Sequence, residues 1–223
     1  MLSGEAAIAI WNDITDAGRA EFYAWHLHEH MPERAGISGF RRGRRYIACD
    51  GATRPEFFTL YEADTIGVLQ GSDYVSRLNA PTPWTRRATA EFRNTSRAVA
   101  RVLASVGPGA GGIALTVRFD AGRDRTTTLA DLLRHAASAP RVTGAHLCAA
   151  DDQASAQRTA ESSGRTDLQA PPAWFAMVEA TDADAVAALL PEPELRAAGA
   201  TGTMARGLYR LEYTRTKTAF AAG

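Results

Sequence analysis

The segment WHLHEHMPERAGISGF, residues 25–40, packs three of the chain's five histidines into five positions ahead of Pro32, Gly36 and Gly39. Imidazoles grouped in this way can ligate a metal, move protons near neutral pH, or finish a helix by complementing its dipole. On a helix His26 and His30 are four apart and share a face, the spacing of paired zinc ligands, while His28 points across the axis. Two ligands do not make a site, and the segment lacks the H-E-x-x-H pattern, so no metal is assigned. His30 is the candidate catalytic acid/base: it flanks the apolar face of the helix, and a half-buried imidazole there can pass a proton to or from a ligand. Its alternative is to bond free carbonyls in the last helical turn. Glu29 can orient His30, and Arg34 can hold a ligand carboxylate or enolate. Their alternative is an ordinary surface ion pair contributing about 0–1 kcal/mol. His26 is a candidate ligand contact or a plain surface residue. Trp84, in APTPWTRR, either walls an apolar pocket or packs between helix and sheet.

The elements that must position these groups follow from periodicity. AAIAIW has strand length, and NDITDAGRAEFYAWHLHEHM reads as an amphipathic helix with Asp13 or Thr15 as cap. Ala20, Tyr23, Ala24, Leu27 and Met31 form its core-facing stripe. FRRGRRYIAC and EFFTLYEA alternate like antiparallel strands joined by the turn DGATRP. Helices near 64–79 and 82–90 and the strand FRNTSRAVARVLA complete the order βαββαβ.

That order recurs. Ala7–Ile10 aligns with Gly112–Leu115, His30 with His135, and PEFFTLYEA from Pro55 with PAWFAMVEA from Pro172. The second set predicts strands near 112–119, 142–149, 172–180 and 203–215, with helices near 127–138 and 182–190. Between its middle strands lies DDQASAQRTAESSGRTDLQAP, a polar insertion expected to be a mobile loop. VGPGAGG, residues 106–112, reads as a linker. The expected fold is therefore α+β: two ferredoxin-like βαββαβ repeats, residues 1–106 and 107–223, fused into one pseudo-dimeric α/β barrel in which each sheet covers the other's bare face.

Composition excludes several function classes. Twenty-five Lys and Arg balance 25 Asp and Glu, and hydrophobic residues make up 45%. No overall field draws the chain to nucleic acid or an anionic membrane, and the run Arg41–Arg45 reads as one solvated strand face. Two cysteines, Cys49 and Cys148, suit a reduced compartment. No apolar stretch reaches the roughly 20 residues of a membrane span, and the start MLSGEAAIAIW lacks a signal-peptide pattern, so a cytoplasmic protein is expected. A Walker segment, G-x-S-x-G and C-x-x-C are all missing.

Trp25, Glu29, His30, Pro32, Glu33, Arg34, Gly39 and Phe40, followed by PEFFTLYEAD and APTPWTRR, resemble the dimeric α/β-barrel superfamily, in particular its EthD-like branch. The resemblance covers residues 5–105. The second repeat shares only the strand pattern and His135, and lacks the equivalents of Trp25, Glu29, Pro32 and Arg34. The resemblance implies a pocket for small, often aromatic or polyketide-like molecules, either between sheet and helices or inside the barrel, with the site in the first repeat. It also implies a choice among cofactor-free monooxygenases, isomerases, cyclases and haem-binding relatives; His135 or His146 would be the haem ligand. The expectation is a cofactor-free enzyme moving a proton through His30 on an apolar cyclic ligand, with a non-catalytic carrier or a haem- or metal-binding protein as alternatives. Its partner is a small molecule, not nucleic acid or membrane, and a homodimer is compatible.

Overall fold

The computed structural model describes residues 1–217. Eight strands carry the fold: β1 (Ala6–Ile14), β2 (Phe40–Ala48), β3 (Phe57–Ala63), β4 (Phe92–Val106), β5 (Ile113–Ala121), β6 (Val142–Ala150), β7 (Trp174–Ala180) and β8 (Ala200–Thr216). They close into an antiparallel barrel in the order β1-β3-β2-β8-β5-β7-β6-β4. The seams are β2 on β8 and β4 on β6, with Arg44 opposite Thr214 and Cys148 opposite Val102. Closure leaves no strand edge to template pairing with another chain. Among the described residues no helix is long and apolar enough to cross a membrane.

Strand alternation sorts the side chains into two layers. Ala7, Ala9 and Trp11 of β1 point inward with Tyr46, Phe58, Leu60, Phe175 and Tyr209. Trp11 stacks on Phe58 at 5.1 Å, meets Phe175 edge-on at 5.4 Å and donates its indole N–H to Thr116 Oγ1 at 3.1 Å. Small residues opposite large ones fill the lumen with side chains. At one end the lumen holds charge: Arg44 pairs with Glu179 and, at 2.9 Å, with Glu62, all three fully buried. Arg42 reaches Glu62 at 2.7 Å, and His146 lies 3.5 Å from Glu179.

The basic run is therefore not a solvated face. Arg41 is exposed, but Arg44 and Arg45 are buried because the strand period turns Arg44 into the charged lumen and Arg45 outward under the first helix, against Glu212 at 3.2 Å.

Eight helices lie outside the barrel among the described residues: α1 (Arg19–Trp25), α2 (Met31–Gly36), α3 (Ile66–Gln70), α4 (Ser72–Asn79), α5 (Pro83–Ala90), α6 (Thr126–Ala137), α7 (Asp152–Ala156) and α8 (Glu192–Ala197). The expected helix from residue 12 starts later because β1 continues to Ile14, which pairs with Phe92. Its expected stripe is also corrected: Ala20 and Leu27 are exposed, and Phe22, Trp25, His26, His30, Met31 and Arg34 are buried. Phe22, Trp25 and His26 follow regular helical spacing on the buried face; one π turn, His26–His30, in which the Met31 N–H bonds the His26 carbonyl, then sets the positions that follow. In a regular α-helix four-residue steps rotate by about 40° each. The wider turn takes up that drift and keeps His30 and Arg34 on the sheet side with Phe22 and His26.

Over the second half's outer face, α6 and α8 cover a continuous apolar layer that includes Leu115, Phe119, Leu133, Leu147 and Val178. Residues 182–190 form turns, not the expected helix; the chain takes up α8 only after Pro191. The polar insertion after β6 is likewise not a free loop. It crosses to the first half, where Thr95 N–H bonds the Asp167 carbonyl at 3.0 Å, Gln169 N–H the Thr95 carbonyl at 2.7 Å and Glu161 N–H the Leu78 carbonyl at 2.9 Å. It lacks apolar content to order itself, and the first half supplies its partners.

Candidate active site

Outward-facing residues of the first half line a cavity of about 250 Å³. Its floor is Ile8, Ile10 and Asn12 of β1, Thr59 and Tyr61 of β3, and Thr95 and Arg97 of β4. Phe22, Trp25, His26, His30 and Arg34 form one wall, Tyr74 and Leu78 of α4 another, and the insertion from Ser155 to Pro171 the roof. The equivalent space of the second half is filled by the apolar layer under α6, so the two halves differ in what their outer faces hold.

Tyr61 reaches the cavity because its neighbour on β2 has no side chain: a Cβ on Gly43 would sit 2.8 Å from the Tyr61 ring and 2.7 Å from Met31 Cε. Gly39, at φ +84°, makes the reversal from α2 into β2 that brings these elements together.

His26 is tied on both nitrogens. Arg45 Nη1 approaches Nδ1 at 3.4 Å, and Nε2 lies 3.2 Å from the Tyr61 hydroxyl oxygen. A guanidinium only donates, so Nδ1 accepts and the neutral ring carries its proton on Nε2, which donates to Tyr61. The Tyr61 O–H is then free to donate into the cavity. Burial raises the Tyr61 pKa, keeping that proton in place. Burial, with Arg45 beside it, holds His26 well below its ordinary value.

His30 packs tilted against Trp25 at 4.2 Å and stacks 5.7 Å from the His26 ring. It is 6% exposed, and its Nδ1 has no hydrogen-bond partner. Burial first, then the charge of Arg34 and the neighbouring His26, keeps it well below its ordinary pKa. The ring is therefore neutral at pH 7 and able to accept a proton.

The other sequence-derived candidates take different places. Glu29 does not orient His30; it accepts from Thr82 Oγ1 at 2.6 Å and Thr85 Oγ1 at 3.0 Å, joining the π turn to the start of α5. Thr85 also accepts the Trp25 indole N–H at 3.1 Å, so Glu29 supports the cavity wall from behind. Arg34 is buried and makes no pair with Glu29; it binds Glu33 at 2.8 Å and Glu161 of the roof at 2.7 Å. Trp84 is half-buried against the cluster of Phe22, Trp25, Phe57 and Phe92, outside the cavity lining. His26 lines the cavity, whereas His28 is exposed.

Neither proposed haem ligand suits that role. His135 is exposed on α6, and His146 is sealed in the lumen with Nδ1 2.9 Å from Ser105 Oγ; neither lines the first-half cavity. Among the described residues no three His, Cys, Asp or Glu side chains group as metal ligands.

Tyr61, Trp25, Arg97 and the roof residue Glu161 escaped the sequence reading. Alternation along EFFTLYEA already put Tyr61 on one face with Phe57, but nothing in it marked that face as hollow.

The closed antiparallel barrel with its helices outside has the architecture of the dimeric α/β-barrel proteins. Solved structures share it over nearly the whole chain. An anthrone oxidase-like protein superposes with a TM-score of 0.65 at 11% identity, covering 98% of this chain and 95% of that one. A provisionally assigned monooxygenase from Lactobacillus acidophilus gives 0.57 at 10% identity, covering 98% and 100%. A provisionally assigned chlorite dismutase gives 0.52 at 9% identity, covering 94% and 96%. At such identities the likeness is one of fold. No family model matches the sequence, and no curated protein matches it.

Proposed function

We propose that the protein is a small-molecule enzyme of the dimeric α/β-barrel type, which takes an apolar cyclic or polyketide-like ligand into the cavity of its first half and removes a proton from it with His30. The reading rests on one observation above all: the buried His30, whose ring has no hydrogen-bond partner at Nδ1, lines a largely apolar cavity. The Tyr61 O–H is the matching donor for an oxygen that gains charge as the proton leaves. Isomerisation, cyclisation and cofactor-free oxygenation all begin with this step. We favour oxygenation, because an anthrone oxidase-like protein and monooxygenases are among the structural neighbours. For an anthrone, His30 takes a methylene proton and the carbanion meets dioxygen. One oxygen atom ends in the new carbonyl, and the other leaves as water.

The same proposal treats residues 1–106 and 107–223 as two diverged ferredoxin-like halves. The first is EthD-like in its helix-end segment, and the second serves as scaffold and roof. In support, β4-β1-β3-β2 and β8-β5-β7-β6 have matching pairings within the barrel.

The test is oxygen uptake and anthraquinone formation from anthrone in air. His30→Gln is expected to lower turnover by about 10²–10⁴-fold with anthrone affinity changed only a few-fold. Wild-type turnover by that variant would remove His30 from its role. Anthrone consumption without oxygen uptake would move the reading to isomerase chemistry.

A further inference from the structure

Resting on that functional reading, we infer that the cavity's ligand is an anion, an aromatic or alicyclic acid whose ionised oxygen seats on Arg97. The observation behind this is an imbalance of charge. Four arginines line the cavity, Arg34, Arg97, Arg158 and Arg165, against one carboxylate, Glu161. Two of the four are already neutralised: Arg34 by Glu33 and Glu161, and Arg165 by Asp167 at 2.6 Å.

Arg97 is different. It is half-buried on β4, directly across from Ile10 of the floor. Among the described residues its side chain has no carboxylate partner and engages only the Tyr74 hydroxyl, at 3.0 Å. A guanidinium has five N–H donors, so most of its donating capacity is unspent. A cation left in an apolar, half-desolvated wall is costly unless something compensates it. A ligand carboxylate or phenolate does so with charge-assisted hydrogen bonds that water would weaken elsewhere.

The surroundings point the same way. An open cleft on the far side of the roof shares Thr89, Phe92, Glu161, Arg165 and Gln169 with the cavity and adds Arg86 and Arg93. The acids of that cleft, Glu161 and Asp167, are both engaged with arginines. The whole chain is formally neutral, so this is a local concentration of positive charge around one cavity. Such a concentration draws anions toward the opening and speeds their capture.

The test compares 2-naphthoate with its uncharged, nearly isosteric counterpart 2-naphthamide, by isothermal titration of the intact chain at pH 7.5. The wild type is expected to bind the carboxylate about tenfold or more tightly than the amide. Arg97→Gln should bring the two to parity with amide affinity unchanged, and Arg97→Lys should retain part of the preference. Amide binding by the Gln variant also shows that it is folded. Equal binding of the two probes by the wild type, or a preference that survives Arg97→Gln, would overturn the anion inference and leave the apolar-ligand reading intact. Binding of neither probe would overturn both.

Discussion

Replacing Arg44 by Met tests whether the charged end of the lumen is held by that one cation. Arg44 is 1% exposed and bridges Glu62 and Glu179, each fully buried, so its removal leaves Glu62 with Arg42 at 2.7 Å but Glu179 with only Tyr46 at 3.4 Å and His146 at 3.5 Å. Breaking a buried pair from one side costs about 3–5 kcal/mol. In a chain of this size about 2–4 °C is lost per kcal/mol, giving a fall in Tm of about 6–20 °C at pH 7. The pH dependence gives the sign. Burial pushes the Glu179 carboxyl up, but His146 and Arg44 outweigh it and hold the group at about 2, below its ordinary 4.5. In the wild type that stabilisation is complete above pH 4.5 and fades only as pH falls toward 2. Without Arg44 the carboxyls take up protons at higher pH, so the variant's deficit should shrink between pH 7 and 5. Differential scanning calorimetry at both values reads this directly. Adding Glu62→Gln and Glu179→Gln should recover most of the loss. A fall under about 2 °C, or a deficit equal at the two pH values, would refute the reasoning.

Three further outcomes are expected. Because His26 and His30 are held well below their ordinary pKa, the unfolded chain binds the extra protons, so stability is full above about pH 6.5 and declines below it by up to about 1.4 kcal/mol per pH unit for each ring. His30→Phe should flatten that decline in urea titrations run from pH 7 to 5. Glu161→Ala frees Arg34 from the roof; trypsin should then cut after Arg158 or Arg165 faster than in the wild type, with far-UV circular dichroism unchanged. Leu27→Lys, on the exposed side of the π turn, should shift stability by no more than about 0.5 kcal/mol, whereas Phe22→Ala should cost about 3–5 kcal/mol in the same denaturant assay.

The strands were legible because a half-buried strand writes its period into the sequence: every expected strand, from AAIAIW to the last near 203–215, has a counterpart in the barrel. The candidate site was legible only in part. The spacing of His26 and His30 brought out two residues that do line the cavity, but the face chosen for the rest of that helix misplaced Ala20 and Leu27. Ala20 was misplaced by the choice of face in the regular helix before residue 26, whereas the π turn at His26–His30, which sets the register of His30 and Arg34, has no local residue signature and is visible only in the backbone. Glu29 bonds Thr82 and Thr85 and not His30, and Trp84 takes the packing alternative, since both lie next to the site in the chain but face its outer supports. The roof could not be read at all. Its residues are polar and nearly featureless, and what orders them is a surface more than 50 positions away in sequence.

The Arg34–Glu161 pair joins residues 127 positions apart. A contact of such separation carries the entropic cost of closing the intervening chain. Until that contact forms, the cavity has no link between its first wall and its roof. A ligand captured there reports on completed assembly, and it draws the equilibrium toward the fully joined chain by mass action.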